Sequence, residues 1–175
     1  TDEDFFGVYD ARSGIGNIHV ASHREVPGKK FWSWGQSELG RTWNLILTDE
    51  DGPYMEHQAG NIETQNEYRY LMPYQKSTWS EYWFQAIDTG AFTYADRHAV
   101  ITTGFEKKDG DRLKLNLAVR ANETIVGAVI QLVHDDRILH SVRGDFSPER
   151  TWRHAAEMDV RHVTTGWLKL RLLGS

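Results

Sequence analysis

Apolar and polar residues alternate with a period of two wherever the pattern is readable, and no stretch holds apolar residues at helical spacing through three turns. An all-β fold is expected. The clearest strand is Arg112 to Val119, in which Leu113, Leu115, Leu117 and Val119 point to one face while Arg112, Lys114 and Asn116 point to water. Trp167 to Leu172 repeats the pattern, and Ile125 to Val133 followed by Arg137 to Val142 predicts a hairpin turning at Asp135-Asp136. Asp109-Gly110 and Arg143-Gly144-Asp145 predict further turns. In the first half, strands are expected at Phe5–Tyr9, Asn17–Ala21, Lys30–Trp34, Trp43–Thr48, Tyr54–Ala59, Tyr68–Leu71 and Thr78–Ile87, with a turn at Asp51-Gly52-Pro53.

The two halves differ in composition. Residues 1–95 carry 7 Lys/Arg against 14 Asp/Glu, whereas residues 96–175 carry 13 against 11. Of the 21 Phe, Trp and Tyr residues, 17 precede residue 96. Two domains are therefore expected, at 1–96 and 97–175, the second a small immunoglobulin-like β-sandwich by its strand spacing and Leu/Val-rich core. The formal net charge of −5 argues against a binder of phosphate backbones, so nucleic acid is not expected as a partner. No apolar run approaches the roughly 20 residues that span a bilayer, so no membrane partner is expected and the chain reads as soluble, with the cytoplasm slightly favoured. The absence of cysteine excludes disulfides and thiolate chemistry within these 175 residues.

Chemistry is expected on the strand around Glu56. Alternation sets Tyr54, Glu56 and Gln58 on one face, and Met55, His57 and Ala59 on the other. Trp32 and Trp34 share a face of a neighbouring strand that also carries Lys30, and Trp79 and Trp83 bracket a second carboxylate, Glu81. Indole faces suit the CH-rich face of a pyranose, while carboxylate, amide and amine groups suit its hydroxyls. Each of these tryptophans has a plainer reading as core. His19 and His23 lie four apart, but that spacing is not specific for a metal, and no metal or other cofactor is expected.

The blocks from His19 to Gly35 and from Leu47 to Gly60, continued by Trp79-Ser80-Glu81-Tyr82-Trp83, resemble a bacterial domain of unknown function often found ahead of tetratricopeptide repeats. That family is distantly similar to the galactose-mutarotase-like superfamily. Pro27-Gly28-Lys29-Lys30-Phe31-Trp32-Ser33-Trp34-Gly35 and Met55-Glu56-His57-Gln58 carry this second similarity. The resemblance implies that residues 1–96 form the later half of a β-supersandwich in a longer protein that binds or processes carbohydrate. It implies Glu56 as proton acceptor; separately, if the whole protein hydrolyses glycosides, Glu56 and Glu81 are the candidate acid and base. Beside the resemblance, the residues themselves make Gln58, Lys30, His23, Trp32 and Trp34 the expected sugar contacts. The acid histidines of the epimerases have no counterpart among the 55 residues before Glu56. A non-catalytic module that docks other proteins is the rival reading. A half-sheet leaves an unpaired edge, which predicts a homodimer joined through that edge.

Overall fold

A computed structural model of the chain describes residues 2–161 and 168–173. The element order is β1 (Phe5–Asp10), β2 (Ile15–Ala21), β3 (Lys30–Ser33), α1 (Glu38–Leu47), β4 (Met55–Gln58), β5 (Glu81–Ile87), β6 (Tyr94–Ala95) and β7 (Ala99–Lys107). It continues with β8 (Arg112–Ala121), β9 (Ile125–His134), β10 (Arg137–Phe146), β11 (Trp152–Asp159) and β12 (Leu168–Leu173). The fold is all-β, with half of the residues in strands and 6% in helix. The sheets run β1-β2-β5, β3-β4, β10-β9-β12 and β11-β8-β7-β6. The chain divides into two compact units: Thr1–Gly7 with His19–Tyr82, and Val8–Ile18 with Trp83–Ser175.

In the second unit, period-two alternation builds the core. Leu115, Leu117 and Val119 of β8 are buried together with Ala128, Ile130 and Leu132 of β9, so two sheets enclose one apolar layer. The hairpin between β9 and β10 turns at Asp135 and Asp136, which take positive φ of 44° and 61° between the paired residues His134 and Arg137. Gly110 turns the chain with φ of 68° ahead of β8. The expected strand at the C-terminal end is β12, although its first expected residue, Trp167, lies outside the described residues.

Three local expectations are corrected. Arg143-Gly144-Asp145 does not turn but continues β10. Gly144 is there for room, because a Cβ would meet Trp152 at 2.9 Å and Phe146 at 3.0 Å. Trp43–Thr48 is not a strand but the end of α1. Ser37 caps that helix by accepting from the Gly40 amide at 3.2 Å, and Thr48 closes it by donating both its amide and its hydroxyl to the Asn44 carbonyl. Leu39, Trp43, Ile46 and Leu47 do stand at helical spacing, but α1 is only 10 residues long, too short for that spacing to run through three turns, and Leu39, Leu45, Ile46 and Leu47 are exposed. Tyr68–Leu71 forms no strand either. Its alternating aromatics face solvent, and the chain turns just beyond at Met72-Pro73-Tyr74-Gln75, where the Gln75 amide donates to the Met72 carbonyl at 3.0 Å.

Candidate functional site

The candidate site belongs to the first unit and is carried by the ribbon of β3 and β4. Pro27 leads into it, and the Gly28 amide donates to the Gly60 carbonyl at 2.9 Å. Any side chain at Gly28 would run into the Ile62 carbonyl, so this close backbone crossing requires glycine. The register pairs Lys30 with Gln58, Phe31 with His57, Trp32 with Glu56 and Ser33 with Met55. Strand alternation then separates two chemically different faces.

The first face holds Lys30, Trp32, Glu56 and Gln58, with Tyr54 just before β4. Glu56 is half-buried and anchored at both oxygens: Tyr54 donates its hydroxyl to Oε1 at 2.7 Å, and Gln58 donates Nε2 to Oε2 at 2.6 Å. This donation raises the Tyr54 phenol above its ordinary pKa. Each carboxylate oxygen has two lone pairs, so one on each remains to receive a ligand hydroxyl. Trp32, directly across the ribbon, keeps 39% of its surface exposed. Trp34 is half-buried and stacks on Trp43 of α1, with centroids 5.1 Å apart and planes at 27°. Lys30 reaches back to the Gly28 carbonyl at 3.5 Å.

The second face is aromatic. Phe6 meets the His57 ring edge-on at 4.2 Å and lies 5.2 Å from both Phe31 and His19. His19 is wholly buried, and its Nε2 lies 2.9 Å from Oε2 of Glu81. Burial first, and then the charge of His19, pushes His57 down to about 4. Burial likewise holds His19 below its ordinary value, against the opposing pull of Glu81.

The structure therefore brings Trp32, Glu56, Gln58 and Lys30 together, and sets Trp34 at the end of their row. It does not pair Glu56 with Glu81, whose carboxylate turns to His19 on the His57 side. His23 sits elsewhere in the unit, where its amide and ring hold the Asp4 carboxyl below the usual carboxylate range. Trp79 and Trp83 are exposed. Among the described residues, no group of three or more His, Cys, Asp or Glu is arranged to hold a metal ion. No helix among them is long and apolar enough to cross a membrane.

The Glu56 anchors were legible in the alternation of β4. The His19–Glu81 contact was not, because its partners are 62 positions apart and belong to no common motif.

Residues 1–86 match the family model described as a domain of unknown function (DUF5107). No solved structure matches the chain.

Proposed function

We propose that the first face of the β3–β4 ribbon recognises carbohydrate. The observation that carries this reading is the cross-strand pair of Trp32 and Glu56, an exposed indole beside a carboxylate fixed at both oxygens. The indole offers a flat wall for the apolar face of a sugar ring. Glu56 accepts from ring hydroxyls, Gln58 holds it in one orientation, and Lys30 donates at the rim. Trp34, propped on Trp43, closes the end of the row rather than lying open. If the protein also transforms its sugar, Glu56 is the group placed to take a hydroxyl proton. Glu56→Gln would then abolish turnover and leave folding intact.

The test is tryptophan fluorescence of the chain titrated with a panel of mono- and oligosaccharides. Saturable quenching or enhancement that disappears in Trp32→Ala supports the reading. A flat response across the panel in the wild-type chain removes it.

A second reading, docking of another protein, is favoured by the exposed aliphatic residues of α1 and by the solvent-facing aromatics Tyr68, Tyr70 and Tyr74. Retained saccharide binding in a Leu45→Lys/Ile46→Lys variant separates the two surfaces.

A further inference from the structure

Within the second unit, His140 on β10 and His154 on β11 belong to different sheets, and their Nε2 atoms lie 2.8 Å apart. The ring planes differ by 16°, and the centroids are 5.0 Å apart. That separation is the N···N distance plus one ring radius on each side, so the imidazoles meet head-on. A single proton lies between them: one ring donates through Nε2 and the other accepts there. His154 also lies parallel to Trp152 at 5.6 Å, and Trp152 meets the buried ring of Phe146 edge-on at 5.2 Å.

Both rings of this pair are half-buried. His154 is in register with Leu117 of β8 and His140 with Leu132 of β9, both buried, so both rings stand on the core-facing rows. The charged residues Lys114 of β8, Arg143 of β10, and Arg153 and Glu157 of β11 fall on the alternate rows. Arg153 is engaged by the Asp88 carbonyl and Glu157 by Arg112. Lys169 and Arg171 of β12 are exposed, and Arg171 pairs with Asp136. Among the described residues of these strands, the titratable group on an inward row beside the pair is His134, at the end of β9, 3.5 Å from Asp135. Among the described residues, no carboxylate forms an ion pair or hydrogen bond with either ring to balance a second positive charge.

We infer that His140 and His154 form a proton-operated latch between the two sheets of the second unit, closed with up to one added proton and released by the second. With one added proton the contact becomes a charge-assisted imidazolium–imidazole bond, which is stronger than the neutral one. With two, both Nε2 atoms carry hydrogen, neither accepts, and two like charges face each other at hydrogen-bond distance in a half-buried setting. Release frees β10 from β11 ahead of the short connection closed by the Ser147–Arg150 bridge, and takes His154 off Trp152. The ring of His154 is already held below its ordinary value, first by burial and then by His140.

The test compares urea unfolding of the full chain at pH 7.5 and pH 4.5 for wild type, His140→Gln, His154→Gln and the double variant. The expected result is a stabilising coupling between the two positions at pH 7.5 that vanishes or changes sign at pH 4.5. The wild-type unfolding constant should also rise at least tenfold more than that of the double variant over the same interval. A coupling that is absent at both pH values, or equal at both, overturns the latch. Should a variant not fold, ring-nitrogen NMR of the wild-type chain decides. Two separated protonation steps shared by His140 and His154 support the latch, and independent titration of each at the value of an exposed histidine overturns it.

Discussion

The buried ring of His19 and the partly exposed carboxylate of Glu81 meet at 2.9 Å, joining β2 to the first residue of β5 inside the first unit. Burial disfavours the charged form of His19 and Glu81 favours it, and burial prevails. A histidine whose folded pKa is depressed contributes stability that is full above the unfolded value of about 6.5 and is lost as the pH falls below it. Glu81→Ala removes the opposing pull. The variant is expected to lose about 1–3 kcal/mol at neutral pH and to weaken more steeply than wild type on acidification. Urea midpoints at pH 7.5 and 5.0 measure both effects.

His57 gives a second pH effect of the same sign. Its folded value of about 4 places the loss of stability between about 6.5 and about 4. His57→Phe preserves an aromatic contact to Phe6 and Phe31 and removes the titration. The fall in unfolding free energy between pH 7 and pH 4.5 is expected to be shallower in this variant. Equal slopes would show that folding leaves the His57 pKa where it is in the unfolded chain.

Gly40 is the one buried residue of α1, and an added methyl group would strike the carbonyl oxygens of Trp34 and Gly35. Those atoms are backbone and cannot swing aside. Gly40→Ala should cost about 1–3 kcal/mol despite the better helix propensity of alanine, and should disturb the near-ultraviolet dichroism of the Trp34–Trp43 stack. Leu45→Ala, on the exposed side of the same helix, should change stability by less than about 0.5 kcal/mol.

At the β9–β10 hairpin, two aspartates occupy positive φ. Replacing them with Asn-Gly relieves that conformation and should stabilise the chain by about 1 kcal/mol in thermal or urea unfolding. The exposed ion pair lost between Asp136 and Arg171 offsets little of this gain.

Sequence patterning revealed what depends on neighbours along the chain. The inward row of β8, the Asp-Asp hairpin and the shared face of Tyr54, Glu56 and Gln58 all follow from a period of two. The pattern failed where an element is short. Leu39, Trp43, Ile46 and Leu47 of α1 keep helical spacing for fewer than three turns, and the run Trp43-Asn44-Leu45-Ile46-Leu47 imitates a strand. Contacts between distant strands, such as His19 with Glu81 or His140 with His154, leave no mark in spacing. Gly144 misled for a different reason, since its lack of a side chain makes space for Trp152 and Phe146 instead of a bend.

The make-up of the two units sets a limit on genetic dissection. Residues 8–18 are grouped with the body that begins at Trp83, while their flanks on both sides belong to the other. The units are thus interleaved along the gene, and neither can be excised as one uninterrupted stretch. Cutting the polypeptide at residue 86, where the family match ends, would leave that short insert with only residues 83–86 of the body it is grouped with. A fusion or shuffling event that keeps both bodies whole must carry the interwoven segments together.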